Sequence, residues 1–450
     1  MHARAVLTGA VLFVVLLLPL TAGASSTSPR AALVLPVTAS LYAKPSVHSL
    51  VLAELVQQTQ VSVLRTKGTW RQVEAWGSLK GWLPRKAVGF RKPWKTHSTY
   101  QAPTVHYRVR AHPPAPLSAP AIATGRVSLV RAPGTASVRS LPGGAHLAVT
   151  SWQEDARGQV WYEIRGLWTL GPLRFLMATP GGRAWKSVAG KGMWLSLGTV
   201  SGSDPDALAR AAALDGVTHL YIEAAISPWG FHGRDSVGPL IDAAHRRGLA
   251  VIAWVYPYLV DIASDVSLTR TVASFRTAGG ERFDGIAADL ERNMDVTHIR
   301  AYSQLIRYYL GPSTLLIGVT YPPQSIPTYP FAEVAHFYNA IAPMDYWHQT
   351  RTATGLNYGH MKYGYAYAYR YARDSVLTIR RTAGSAPIMP IGQTFDNFGR
   401  LERGPYAPSA DEIRGFLEGS RDSGAAGVSF FQWMTATVPE WQAIRAFRFK

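Results

Sequence analysis

The chain contains no cysteine among its 450 residues. Disulfides, thiol nucleophiles, thiolate metal sites and a lipid-modified cysteine behind a leader are therefore excluded. Acidic residues are scarce, 28 Asp+Glu against 46 Lys+Arg, and the formal net charge is +18. Beyond the N-terminus no apolar run is long enough to span a membrane. There is no P-loop and no dinucleotide fingerprint; the segment after the first strand of the C-terminal half reads Ser196-Leu197-Gly198-Thr199-Val200-Ser201-Gly202. No Gly-x-Ser-x-Gly elbow occurs. The 13 histidines are scattered, and no His/Asp/Glu set has metal-ligand spacing. The expectation is chemistry with no metal and no organic cofactor.

What is present begins with a leader. His2 and Arg4 precede an almost wholly apolar stretch over 5–20, and Ala22-Gly23-Ala24 fits a small-residue cleavage site. Residues 1–24 read as a signal peptide and the mature chain as secreted, an uncleaved anchor being disfavoured by the short apolar run and the clean cleavage site. Outside the cell, a basic protein meets anionic cell-wall polymers, glycans or lipid headgroups, and export removes it from nucleic acid.

Residues 33–95 read as a small all-β module, with short strands divided by turns at Gly68-Thr69-Trp70 and Gly77-Ser78-Leu79. Its Gly-x-Trp-x-x-Val and Gly81-Trp82-Leu83 pieces resemble bacterial SH3 modules, which implies a tether to the envelope. This segment holds ten Lys/Arg against two Glu, a charge suited to an anionic wall polymer. Residues 96–124, with His112-Pro113-Pro114-Ala115-Pro116, read as a semi-rigid Pro-rich linker. Residues 125–180 are β-rich again. Gly158-Gln159-Val160-Trp161 echoes the first module, and a second, diverged SH3-like unit is expected there.

From residue 190 to 450 strands and helices alternate. Strands are expected over 193–197, 217–223, 250–256, 283–289, 315–320, 338–344, 388–393 and 427–433. Gly216, Gly248 and Gly424 mark helix ends, Asp204-Pro205 a helix start, and Ser409-Ala410-Asp411-Glu412 a capping box. Eight strand–helix units predict a (β/α)8 TIM barrel, so the whole chain reads as multidomain: N-terminal β modules followed by an α/β barrel.

Chemistry on such a barrel sits at the C-terminal strand ends. There the fourth strand gives Asp289 and Glu291, on one face and about 7 Å apart along the strand. The other ends give Glu223, Trp254 and Tyr256, Thr320 and Tyr321, Asp345, Tyr346 and Trp347, Gln393 and Asp396, and Gln432 and Trp433. Carboxylates ringed by aromatic faces suit a sugar, since rings stack on pyranoses and carboxyls handle the glycosidic oxygen.

The run Asp284-Gly285-Ile286-Ala287-Ala288-Asp289-Leu290-Glu291 resembles the strand-four signature of family 18 glycoside hydrolases, Asp-Gly-x-Asp-x-Asp-x-Glu, with Ala287 standing where the family has Asp. Met344-Asp345-Tyr346 is similar to that family's strand-six motif, with Trp347 in place of its next Asp. The resemblance implies Glu291 as general acid, Asp289 orienting an N-acetyl group that serves as internal nucleophile, Tyr346 bonding the same group, and Trp433 as the sugar floor. The Asp-x-Glu end is also similar to family 25 lysozyme-type barrels, although Trp194 and Ser196 stand where those have an Asp.

The expected function is a secreted, wall-associated glycoside hydrolase acting on an N-acetylhexosamine glycan such as peptidoglycan or chitin. Glu291, Asp289 and Tyr346 are its catalytic residues, and Trp433, Tyr256, Trp254, Glu223, Asp345, Trp347, Gln393 and Gln432 its substrate contacts. The alternatives are a non-catalytic glycan-binding barrel, which Ala287 favours, and an adhesion protein dominated by its SH3-like modules.

Overall fold

The computed structural model describes residues 29–57, 59–90, 109–177, 180, 184–348, 363–395 and 407–449. The leader, residues 91–108 and Asp396 lie outside the described residues. Three sheets are built, two antiparallel and one parallel.

The first sheet comprises β1 (Arg30–Val34), β2 (Thr38–Tyr42), β3 (Val51–Val56), β4 (Gln60–Lys67), β5 (Trp70–Ala75), β6 (Leu79–Pro84) and β7 (Val88–Gly89). Its strand order is β3-β2-β6-β5-β4-β1-β7. The second comprises β8 (His112–Ala123), β9 (Val127–Val130), β10 (Ser137–Leu141), β11 (His146–Glu154), β12 (Val160–Ile164), β13 (Leu167–Thr169) and β14 (Leu173–Phe175). Its order is β10-β9-β13-β12-β11-β8-β14. Strand for strand, the two orders are the same, so the two sheets share one topology. Even a hairpin tip recurs: Trp76-Gly77 after β5 and Arg165-Gly166 after β12 all take positive φ.

The Pro-rich segment corrects the expected linker. Residues 112–123 are β8, paired with β11 on one side and β14 on the other. Leu117, Ala119, Ala121 and Ala123 are buried while Pro113, Pro114, Pro116 and Pro120 face out. That period-two alternation makes a strand, and the register shifts on β11 opposite the prolines absorb their missing N–H groups.

The third sheet holds β15 (Lys191–Leu195), β16 (His219–Ile226), β17 (Ala250–Tyr256), β18 (Gly285–Asp289), β19 (Leu315–Thr320), β20 (Ala340–Pro343), β21 (Ile391–Gln393) and β22 (Val428–Phe431). All pairings are parallel, in the order β20-β19-β18-β17-β16-β15-β22-β21. Parallel bridges Ile341–Ile388 and Met344–Ile391 close β20 onto β21 and complete a barrel. Around it run α1 (Leu197–Gly202), α2 (Pro205–Leu214), α3 (Arg234–His245), α4 (Ile262–Ala273), α5 (Val296–Leu310), α6 (Phe331–Phe337), α7 (Tyr365–Ala383), α8 (Ala410–Asp422) and α9 (Val438–Ala446). The Ser409–Glu412 capping box starts α8 as its sequence requires. No helix among the described residues is long and apolar enough to cross a membrane.

Alternation along each barrel strand splits the core into two layers. Trp194, Tyr221, Ile252, Ala287, Ile317, Ala342 and Met389 fill the lumen. Their neighbours in sequence, such as Leu220, Val251, Ala288 and Ile341, face the helices. This outer layer is continuous with the interiors of both antiparallel sheets. The first sheet docks through Trp76, whose ring lies 5.6 Å from that of Trp433, itself 4.8 Å from Trp441 on α9. The second docks on α4 and α5. Both carboxylate oxygens of Glu154 accept N–H groups at the start of α4, from Ile262 at 3.0 Å and Ala263 at 2.8 Å. Trp152 donates to Tyr309 (2.9 Å) and Gln304 to Tyr162 (2.6 Å).

Candidate active site

β18 delivers Asp289 to the C-terminal mouth of the barrel, and the turn after it delivers Glu291. Asp289 is buried, and its Oδ2 accepts the indole N–H of Trp254 at 3.0 Å. Its Oδ1 is buried with no hydrogen-bond partner among the described residues. Burial first, and then the charge of Glu291, push the Asp289 carboxyl well above the usual carboxylate range, against a smaller opposing effect of the Trp254 bond.

Glu291 is half-buried and is also raised by burial. The phenols of Tyr256 and Tyr321 hydrogen-bond its carboxylate and, with the charge of Arg292, oppose that rise. Both phenols are raised in turn, Tyr321 to about 12, so they remain donors at neutral pH. Arg292 places its guanidinium over the Tyr258 ring, 5.0 Å from the centroid. Behind the pair, Tyr329 donates to the Leu290 carbonyl at 2.7 Å and Asn293 to the Leu259 carbonyl at 2.7 Å, fixing the turn. Tyr346 is raised by burial and by both carboxylates, which sets its hydroxyl in their field. Its ring meets Phe395 at 5.1 Å and Phe431 at 6.0 Å, and Phe431 meets Trp254 edge-on at 5.8 Å.

The mouth thus gathers Asp289, Glu291, Tyr346, Trp254 and Tyr256 from the expected set. Four other expectations are corrected. Trp433 is wedged between Trp76 and Trp441, and Phe431 holds the lumen position at the end of β22. The strand stops at Phe431 and the chain turns, so Trp433 does not continue its alternation. Asp345 points outward, accepting the Ser375 hydroxyl of α7 at 2.7 Å. Trp347 also points outward, stacked on Phe416 of α8 at 5.3 Å. Both flank the inward Tyr346, as period two demands. Glu223 has both oxygens engaged at the rim, one by the Leu197 N–H and the other by His232, each at 3.0 Å.

Gln393 is fully buried and spends its amide inside the protein, accepting from His348 N–H (2.8 Å) and donating to the Phe395 carbonyl (3.1 Å). Gln432 keeps a buried Oε1 with no partner among the described residues. Asp284, the first residue of the strand-four motif, sits at the opposite end of the strand, where it accepts from His245 (2.9 Å) and the Val251 N–H (2.7 Å).

Two residues of the mouth carry more weight than the sequence assigned them. Tyr321 is a strand-end tyrosine two residues after the inward Val319, and Phe431 two after Ser429; alternation marks both. A cluster at the start of α4 is invisible in sequence: ligand atoms of His112, Glu154 and Asp261 lie within 4.8 Å of one another. Glu154 there already caps α4, and the positive end of that helix opposes a cation.

No protein-family model and no curated protein matches the chain. Among solved structures the chain is similar to the spore cortex-lytic enzyme SleL of Bacillus cereus, with 11% identity over 57% of this chain and 73% of that one and a TM-score of 0.43. It is similar to a family GH18 chitinase of Cycas revoluta in complex with allosamidin (12% identity, 58% and 100% covered, TM-score 0.42). A chitinase of Chromobacterium violaceum is also similar (13%, 57% and 98%, TM-score 0.42).

Proposed function

We propose that the chain is a glycoside hydrolase acting on N-acetylhexosamine glycans of the peptidoglycan or chitin type, with Glu291 as general acid. The observation that carries this reading is the pair Asp289–Glu291 gathered at the mouth and walled by Trp254, Tyr256, Tyr321, Tyr346 and Phe431, where burial raises both carboxyls. Two interacting carboxyls in a low-dielectric site hold a proton at a pH where an isolated one has lost it. Glu291 donates that proton to the glycosidic oxygen as the C1–O bond breaks. The substrate's acetamido carbonyl, held by Asp289 and Tyr346, bonds to C1. Water then attacks C1 with Glu291 taking its proton. Phe431, rather than Trp433, supplies the apolar platform beneath the sugar.

The leader over 1–24 and the basic first sheet complete the proposal: a secreted enzyme held at an anionic wall by an SH3-like module. Ala287 favours a second reading. It is fully buried in the lumen one turn of the pleat below Asp289, whose Oδ1 has no partner among the described residues. A barrel so altered binds glycan without turning it over.

The deciding experiment incubates the purified protein and Glu291→Gln with peptidoglycan and N-acetylglucosamine oligomers from acid to neutral pH. New reducing ends from the unaltered protein alone support the hydrolase. Retention on the glycan with no release from either supports the binding barrel.

A further inference from the structure

The opposite face of the barrel, where the strands begin, holds two cavities lined by cations. Its lumen is plugged by a short 3-10 turn, Ala184–Val188, with Val188 inserted into the lumen core. On one side of this plug lies a cavity of about 810 Å³, on the other one of about 640 Å³. Arg270 and Arg282 line the first, together with the hydroxyls of Ser267, Thr271, Ser274 and Thr314. Lys191, Arg380 and Arg448 line the second, beside the rings of Trp185 and Phe447. Lys186 stands exposed on the plug between them.

Among the described residues no ion pair is made by Arg270, Arg282, Lys191, Arg380, Arg448 or Lys186. Arg270 lies over the Tyr309 ring, 4.1 Å from its centroid. Arg380 donates to the Ser423 and Gly424 carbonyls at 3.1 and 2.9 Å. Lys191 is buried and donates to the Ile444 and Phe447 carbonyls, and burial lowers its ammonium to about 8. The nearby charge of Asp215 opposes that drop only in part. No carboxylate of the described residues lines the second cavity. The acid lining the first, Asp284, accepts from His245 and the Val251 N–H through the same oxygen, Oδ2. Arg445, by contrast, lines the second cavity but is matched by Asp215 at 2.7 Å.

We infer that this floor is a binding track for a flexible polyol-phosphate polymer, with phosphodiester groups seated in the two cavities and the chain crossing the plug at Lys186. Guanidinium forks match phosphate oxygens in two-point contact. Two recesses divided by a ridge suit repeated charges on a pliable chain. The convex backbone of a stiff nucleic-acid duplex does not descend into them. The track is independent of the hydrolytic reading, because it lies on the other face of the barrel and its assay reads binding alone.

The test titrates the full chain with oligomeric poly(glycerol phosphate) and compares Lys186→Gln/Arg282→Gln/Arg448→Gln with a control triple, Arg131→Gln/Arg139→Gln/Arg157→Gln, on the second sheet. All six side chains are exposed, so folding is retained, and matching thermal midpoints verify it. Arg282→Gln/Arg448→Gln serves as a milder second variant. The expected result is saturable binding that weakens by about tenfold or more in the floor triple, by less in the floor double, and by under about twofold in the control. Absence of saturable binding, or equal losses in floor and control variants, overturns the proposal. So does duplex DNA of equal phosphate content binding as tightly with the same response to the floor variants.

Discussion

The indole N–H of Trp254 lies 3.0 Å from Oδ2 of Asp289 and is the one hydrogen bond that the structure gives this carboxylate among the described residues. Trp254→Phe keeps an aromatic wall and removes the donor. A hydrogen bond to a charged or proton-sharing group is worth about 1.5–3 kcal/mol, so kcat/KM is expected to fall roughly 10- to 100-fold. The check is steady-state hydrolysis of a defined oligomer, with KM nearly unchanged.

Tyr256 and Tyr321 hold Glu291 down. Their hydrogen bonds favour its ionised form, so removing them favours the protonated one. In Tyr256→Phe and Tyr321→Phe the basic limb of the kcat/KM profile, which reports loss of the acid's proton, is expected to move to higher pH. A limb that stays in place or moves down in both variants contradicts Glu291 as the acid.

Asp289 has a stability consequence of definite sign. Its carboxyl is raised in the folded state, whereas the unfolded chain loses this proton near pH 4. Below about pH 4 both states are protonated and the group costs nothing. As pH climbs through the window up to the folded value, stability falls. Asp289→Asn carries no such penalty. Its thermal midpoint should exceed that of the unaltered protein at pH 7–8, and the gain should vanish near pH 3.5, while hydrolysis is lost throughout.

Phe431 holds the lumen position expected of Trp433, which packs behind it. Trp433→Ala opens a hole between Trp76 and Trp441 and is expected to cost about 3–5 kcal/mol in denaturant unfolding. Phe431→Ala should instead weaken glycan binding, raising KM for oligomers, with a smaller loss of stability because the residue is only partly buried.

Glu154 joins the second sheet to the barrel. Glu154→Ala leaves the Ile262 and Ala263 N–H groups without their acceptor, at a cost of about 1–3 kcal/mol. Burial also pushes this carboxyl up to about 7. The unaltered side chain therefore loses part of its benefit as pH rises from about 4.5 through 7, and the difference between the two proteins should narrow over that window.

Much of this is written locally in the chain. The pair Asp289 and Glu291, the inward Trp254, Tyr256 and Tyr346, and the caps at Asp204 and Ser409 follow from alternation and short-range chemistry. Asp345 and Trp347 also stand beside a strand end, but their parity turns them toward α7 and α8. Trp433 failed for a different reason: the strand ends at Phe431, and nothing nearby marks the turn. In β8 the prolines masked an alternation of Leu117, Ala119, Ala121 and Ala123 that was there to be read. Glu154 capping α4 joins residues 108 apart along the chain, and no local pattern carries it.

The two antiparallel sheets share a hairpin tip but not its surroundings. At Gly77 an added Cβ runs into the side chain of Trp441, because the tip is pressed against the barrel. At Gly166 it meets nothing within 4 Å, and Arg165 beside it is exposed. One copy of the tip is thus closed to alteration and the other is a free end of the molecule. A peptide tag or fluorophore spliced between Arg165 and Gly166 would leave the fold intact, whereas the same splice between Trp76 and Gly77 would prise the first sheet from its seat.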